Sequence, residues 1–373
     1  MKKNYLFEKV CFPFFFVVLV LLASPIESNA ENVCTAFLSS DLTLSVPIVT
    51  FAGQAYWADF QYVPNTLDFE LTNAGLVADA GEFSACTPAT LSASFQLHIP
   101  DINFNGVSYW GDFQYDQSVN FILTSAGVNP LLLLSDDFTG TVVDGSKWHI
   151  PTWVSASDGT FVGQTQFRCS QNSQLPAASN GNGLIALNTY NPTGSSFYGT
   201  DLISNQSFAL GQGVAVTVRA KIASSVPPGI VGGIFLYAPP TTSNNTLHDE
   251  IDFEILSNDL TNIHTNIYGN EPLGVGHPAS HAYPSGSATD YHNYQIQWLP
   301  DRVSWYIDDT LIRTVTTTSP IPSGPMYVHL NMWVPGSDFT SAYDPSLHWT
   351  TYSSSNQTFL MYVDSVTVVA VNN

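Results

Sequence analysis

Basic residues are scarce in this sequence, with 9 Lys+Arg against 30 Asp+Glu in 373 residues, and charged residues of every kind make up only 10 %. A surplus of negative charge repels nucleic acid and anionic membrane surfaces, and it disfavours sulfated or uronic-acid polymers as substrates. A neutral partner fits better. Cysteine is equally sparse, at four residues, with no CxxC and no Cys/His spacing that would hold a metal. No long stretch carries the 3.6-residue apolar period of an amphipathic helix. One long apolar run occurs, "FPFFFVVLVLLA" at 12–23, and it is shorter than the roughly 20 residues that a spanning helix needs.

That run has the surroundings of an export signal. Lys2, Lys3 and Lys9 precede it, and Ser28-Asn29-Ala30 follows as a small-x-small cleavage site. The expectation is a signal peptide over 1–30 and a mature protein that is secreted, periplasmic or at the cell surface, with no membrane segment of its own. Removing 1–30 leaves 6 Lys+Arg against 28 Asp+Glu, a formal charge of −22. Of the remaining Cys34, Cys86 and Cys169, the first two can pair in an oxidising compartment, or both can be buried thiols.

What is abundant is Thr, Ser, Val, Tyr and Phe, in short alternating runs separated by Gly, Pro and Asn turns. The pattern predicts an all-β protein. Its front end is duplicated. "AYWADFQY" at 55–62 recurs as "SYWGDFQY" at 108–115, and "LDFELTNAGLV" at 67–77 is matched by "VNFILTSAGV" at 119–128. Cys34-Thr35 likewise recurs as Cys86-Thr87. The expectation is a small duplicated β-module over 31–130, in copies of about 34–85 and 86–130. Tyr56, Phe60, Tyr62 and their counterparts Tyr109, Phe113 and Tyr115 share one strand face and are read as core and inter-copy contacts. Trp57 and Trp110 point to the other face, where a sugar-stacking role is the sharper alternative. "NPLLLLSDD" at 129–137 marks the junction, and 136–373 is expected to be the larger domain.

Within that domain "HDEIDFEIL" at 248–256 concentrates acids on an apolar strand. Side chains alternate in a strand, so Glu250, Asp252 and Glu254 share one face with His248, while Ile251, Phe253 and Ile255 face a core. The Cα atoms of Glu250 and Glu254 are then about 13 Å apart, and glutamates leaning inward over the shorter Asp252 bring their carboxyls to about 5–6 Å. That is close to the separation of about 5–5.5 Å at which a retaining glycosidase places its two carboxyls. Crowding keeps a proton on the cluster, which suits chemistry needing one ionised and one protonated acid. A calcium site and a merely solvated face are the competing readings. Calcium ligand runs of the EF-hand type sit in Gly-containing loops rather than between bulky apolar residues.

"DEIDFE" has the Glu-x-Asp-x-Glu signature of glycoside hydrolase family 16, and the sequence resembles that family over about 230 residues. "GVAVTVRAKI" at 213–222, "GIVGGIFLYAPP" at 229–240, "HTNIYGNE" at 264–271, "DYHNYQIQWLPDRVSWYIDD" at 290–309, "LNMWVPG" at 330–336 and "MYVDSVTV" at 361–368 resemble its strands in order. The resemblance implies a jelly-roll sandwich with a cleft across its concave face. It implies Glu250 as nucleophile, Asp252 as assisting acid and Glu254 as acid/base. It also implies Asn266, Tyr268, Trp333, Asn331, Phe235 and Arg219 as substrate-cleft residues, although Trp333 can serve as core and Arg219 as a structural ion-pair partner. Trp298 and Trp305 are read as core, and His248 as a rim residue. The loops 241–247 and 269–286 are expected to border the cleft. No cofactor is implied. A structural Ca²⁺ remote from the acids is conceivable for the family, with Asp364 and Asp136-Asp137 as the candidate ligands.

The function implied is hydrolysis of a neutral β-1,3-1,4- or β-1,3-linked polysaccharide by a retaining endo-β-glucanase. A transglycosylase on β-glucan or xyloglucan and a non-catalytic glycan-binding surface protein are the alternatives. The sequence does not select the polymer, the role of the repeats or the oligomeric state.

Overall fold

The computed structural model describes residues 34–64, 68–77, 87–104, 107–116, 120–154, 164–168, 181–192, 196–211, 213–239, 247–272, 274–317 and 320–371. The expected signal peptide and most of the 241–247 loop lie outside them. The chain divides into two compact units, one ending at Pro130 and the other starting at Leu131. Among the described residues there is no α-helix.

The first unit carries two sets of four strands. The first set is β1 (Ala36–Leu38), β2 (Thr43–Phe51), β3 (Gln54–Val63) and β4 (Asp68–Leu76). The second is β5 (Ala89–Leu91), β6 (Gln96–Phe104), β7 (Val107–Tyr115) and β8 (Asn120–Val128). They form one sheet in the order β1-β2-β3-β4-β8-β7-β6-β5, closed by parallel pairings of β1 with β6 and of β2 with β5. Matching sequence yields matching irregularity: a register shift falls between Val46 and Val49 in one copy and between Ile99 and Ile102 in the other. Aromatic residues from the two copies meet inside, with Phe60 on Phe121 at 5.2 Å and Phe69 on Phe113 at 5.4 Å. Trp57 and Trp110 lie outside that core, each pressed flat on a cross-strand glycine, Gly75 and Gly127. A Cβ at Gly75 would sit 2.3 Å from the Trp57 indole nitrogen, so only glycine admits the ring. Cys34 is disulfide-bonded. Cys86, its expected partner, lies outside the described residues.

The second unit begins within the 129–137 junction, five residues before the expected start at 136. β9 (Leu131–Asp136) is a strand of this unit, paired with the last one, β24 (Thr358–Ala370). The leucine run is a strand edge, with Leu134 buried and Leu131 and Leu132 exposed. Between them come β10 (Trp148–His149), β11 (Thr152–Val154), β12 (Thr165–Arg168), β13 (Gly183–Asn188), β14 (Phe197–Phe208), β15 (Val214–Ile222), β16 (Val231–Ala238) and β17 (Leu247–Leu256). After these come β18 (Asn262–Pro272), β19 (Ala279–Ala282), β20 (His292–Leu299), β21 (Arg302–Ile307), β22 (Thr310–Thr316) and β23 (Met326–Trp333).

One layer runs β19-β18-β17-β16-β23-β14 and the other β13-β24-β15-β20-β21-β22. The apolar positions of both enter a single core. Ile251, Phe253 and Ile255 of β17 are fully buried there with Val216 and Val218 of β15 and Ile296 and Trp298 of β20. Phe253 meets Tyr294 edge-on at 5.4 Å, and the Trp305 indole donates to the Asp252 carbonyl at 3.0 Å, so the layers are tied directly behind the acids. This is the jelly-roll sandwich expected from the sequence, and Trp298 and Trp305 belong to its core.

Candidate active site

β17 lies third from the edge of its layer, flanked by β16 and β18, and its alternation puts the acids on the face away from the core. The registers arrange the neighbours in rows. Glu250 stands between Tyr237 and Tyr268, Asp252 between Phe235 and Asn266, and Glu254 between Gly233 and His264. β23 extends the rows with Tyr327, His329 and Asn331, and β14 adds Ile203 and Asp201. These residues other than His264, with Trp333, line a cavity of about 750 Å³. A Cβ at Gly233 would sit 2.4 Å from Asn331 Oδ1. Glycine there lets the Asn331 amide approach the row of Glu254.

The three carboxyls are electrostatically unlike. Burial, and then the nearby Glu250 carboxylate, push Glu254 from its usual 4.5 up to about 8. Asp252 is also pushed well up, first by burial, then by the charges of Glu250 and Glu254 and by a hydrogen bond with Glu250. Arg313 acts weakly in the opposite sense on Asp252. Its guanidinium is held elsewhere, stacked 4.7 Å over Trp305 and donating to Thr265 and to the His277 carbonyl. Among the described residues no lysine or arginine forms an ion pair with the acids. Burial and the Glu250 charge also raise Tyr237 to about 12. Tyr268 rises to about 12 through burial first, against an opposing hydrogen bond from Asn266.

Five of the six expected cleft residues do line the cavity: Asn266, Tyr268, Trp333, Asn331 and Phe235. Arg219 does not. It lies on β15 in the opposite layer, where Nε pairs with Asp364 Oδ2 at 3.0 Å and the guanidinium covers Tyr291 at 4.8 Å. That pairing also occupies Asp364, one of the calcium candidates. Asp136 accepts from the Trp148 indole at 2.7 Å and the Phe138 amide at 3.0 Å. Among the described residues no group of three His, Cys, Asp or Glu side chains is arranged to hold a metal.

His248 is a second correction, for it is buried rather than on the rim. Its Nε2 lies 3.0 Å from Glu250 Oε2. Asp249 also has a clear role, accepting from the backbone amides of Asn270 at 2.6 Å, Ser323 at 3.0 Å and Gly324 at 2.8 Å. This anchors two loops to the acidic strand. The 269–286 segment does border the cleft, since a Cβ at Gly276 would meet the Tyr268 ring at 2.4 Å.

The sequence reading passed over Tyr237, Tyr327, Asp201 and the buried His329, whose Nδ1 lies 3.2 Å from both Asp201 oxygens. The alternation that selected Phe235, Asn331 and Trp333 was the available signal. Two and four residues back from Asn331 on β23 are His329 and Tyr327, and two residues on from Phe235 is Tyr237. His329 stacks on Phe235 at 4.8 Å, which continues the aromatic floor toward β14.

The arrangement places three carboxyls, two of them pushed well up, at the floor of an aromatic-lined groove that no lysine or arginine lines among the described residues. The sequence model described as Glycosyl hydrolases family 16 matches residues 163–353. A beta-glucanase of Paenibacillus polymyxa is 32 % identical over 216 residues, covering 57 % of this chain and 84 % of the relative. A beta-glucanase of Bacillus licheniformis is 34 % identical over 143 residues, 36 % of this chain and 56 % of the relative. Among solved structures, the catalytic domain of an endo-1,3-beta-glucanase (laminarinase) from Thermotoga petrophila superposes with a TM-score of 0.54 at 17 % identity. The superposition covers 66 % of this chain and 99 % of that domain, a likeness of fold.

Proposed function

The chain belongs to glycosyl hydrolase family 16, and from that premise we propose that this glycosidase is a secreted, endo-acting β-glucanase that retains anomeric configuration. The observation that carries the proposal is the division of labour on β17. Glu254 keeps a proton to about pH 8 while it faces, across Asp252, the carboxylate whose charge helps hold that proton in place. Glu250 attacks the anomeric carbon as Glu254 protonates the departing glycosidic oxygen, so the sugar–oxygen bond breaks as the bond to Glu250 forms. The resulting glycosyl-enzyme is opened by water, with Glu254, now ionised, taking the water's proton. Asp252, protonated and hydrogen-bonded to Glu250, steadies the nucleophile.

Phe235, Tyr237, Tyr268 and Trp333 offer ring faces to sugar rings, and Asn266 and Asn331 offer amide donors and acceptors to hydroxyls. Among the described residues no lysine or arginine lines the groove, which suits a neutral glucan. The relatives named beta-glucanase support the substrate class.

The test is release of reducing ends from mixed-linkage β-glucan, laminarin and xyloglucan by the wild-type chain and by Glu250→Gln and Glu254→Gln. The proposal expects β-glucan cleavage, at least 10³-fold slower in each variant on the order expected when an essential proton donor or nucleophile is lost. NMR of the first-formed product is expected to show the β-anomer. Wild-type turnover in either variant, or an inverted product, refutes the assignment.

A further inference from the structure

The nucleophile assigned above lies in a cluster of three acids, any one of which could carry the negative charge. What decides that it rests on Glu250? Asp252 offers no answer alone, because a shared proton between two carboxyls can sit on either. The other neighbour is His248. It precedes Glu250 by two positions on β17 and shares its face, next to the register shift at which Asn270 adopts a left-handed φ of 55°. Its side chain is 1 % exposed, and Nε2 lies 3.0 Å from Glu250 Oε2. The imidazole is clamped between two tyrosines, Tyr268 at 4.5 Å and Tyr237 at 5.7 Å. It is absent from the cavity lining, although both of its tyrosine neighbours line the cavity.

We propose that His248 is the positioning residue that localises the negative charge on Glu250 and aims its free oxygen at the anomeric carbon. With its proton on Nε2, in the neutral ring or the imidazolium, His248 sets a positive pole 3.0 Å from Oε2 that is not aligned as a hydrogen bond but favours the ionised form of the partner. The charged and titratable groups around the imidazole are Glu250 and Asp252 on its own strand, Tyr237 on β16, and Tyr268 and Glu271 on β18. Glu271 is engaged by His277 at 3.1 Å, which leaves Glu250 as the carboxylate in contact with Nε2. The two tyrosines remain neutral at working pH and supply the walls that hold the ring in place. The outer glutamates already differ, since burial pushes Glu254 up and His264 stands beside it in register, and His248, in contact with Glu250 at the other end of the triad, adds to that difference in favour of Glu250 as nucleophile.

This proposal rests on Glu250 being the nucleophile. The test uses the full chain and mixed-linkage glucan, with kcat and KM followed from pH 4 to 9 for wild type, His248→Phe and His248→Gln, beside melting temperatures. Phenylalanine keeps the ring between the tyrosines and removes the donor. Glutamine places an amide N–H near the position of Nε2. Loss of this electrostatic contact predicts about a 10- to 100-fold fall in kcat for His248→Phe, with the acid limb moved up. KM stays within about twofold, because uniform substrate binding is untouched. His248→Gln recovers most of the rate and returns the limb toward its wild-type place. A packing role alone would lower the melting temperature of both variants and leave the limb fixed, and that result overturns the proposal. So does a glutamine variant no better than the phenylalanine one. If Glu250→Gln itself stays active, the functional assignment fails and this proposal with it. If Glu250→Gln is dead and the limb of His248→Phe is unmoved, only the role of His248 fails.

Discussion

A carboxyl that holds its proton far above its ordinary value makes folding itself sensitive to pH, and Glu254 offers a direct measure of this. In the unfolded chain Glu254 ionises near 4.5, whereas in the folded protein burial and the Glu250 charge hold its proton to about pH 8. Between those limits the native state binds more protons than the unfolded state, so stability falls as pH rises. One retained proton gives a slope of about 1.4 kcal/mol per pH unit. Asp252, raised for the same first reason, adds to the slope. The substitution Glu254→Gln keeps the shape of the side chain and removes its titration. Urea unfolding of wild type and variant, at half-unit steps from pH 5 to 8, should give curves that diverge steadily. The variant gains about 1.4 kcal/mol relative to wild type for each unit, or about 4 kcal/mol from low pH to pH 7.5. His264 and His281, held low mainly by burial, act in the opposite direction as pH falls through their range. They are common to both proteins and cancel in the difference. Parallel curves would refute the reasoning, because they would mean that Glu254 ionises normally in the folded protein and cannot be the proton donor.

The same value sets the alkaline side of catalysis: kcat/KM for mixed-linkage glucan is expected to decline above about pH 8, as Glu254 loses the proton that the leaving oxygen needs. A plateau to pH 9.5 would contradict this. Gly233→Ala is expected to lower kcat about 10-fold or more with little change in melting temperature, because the new methyl forces the Asn331 amide 2.4 Å away to swing from its place beside Glu254. Arg219→Ala is expected to leave kcat/KM within about twofold and stability within about 1 kcal/mol, as its pair with Asp364 is largely solvent-exposed. Phe253→Ala, which empties the core behind the acids where Phe253 meets Tyr294, is expected to cost about 3–5 kcal/mol in urea unfolding.

Much of the site could be read in advance because it is built on strands, where one residue in two faces the groove. The alternation of Glu250, Asp252 and Glu254 with Ile251, Phe253 and Ile255 carries both the layer and the cleft, and the structure repeats it side chain for side chain. What alternation cannot tell is which layer a strand joins. Arg219 has the right neighbours and the right face of its strand, yet β15 pairs with β20 and β24, far from β17 in the sheet order. Nor does it tell what lies across the groove: Asp201 reaches His329 only because β14 pairs with β23 across 128 residues of sequence. His248 was misjudged for a third reason. A strand's outer face is rim only if nothing covers it, and the cover here comes from Tyr268 and Tyr237 on two neighbouring strands.

The closure of the first unit bears on how the chain is made. Strand β1 of the first copy lies beside β6 of the second, with Ala36 against Ile102, and β2 reciprocally beside β5, with Val49 against Ala89. Neither copy completes a sheet by itself, so the duplicated sequence does not amount to two folding units in a row. The first copy must wait, with β1 and β2 unpaired on one side, until residues near position 100 are available, and ring closure is then a late, long-range event. The two copies therefore share one sheet despite the internal repetition, and either copy on its own would present unpaired strand edges where β1, β2 and β4 now meet β6, β5 and β8.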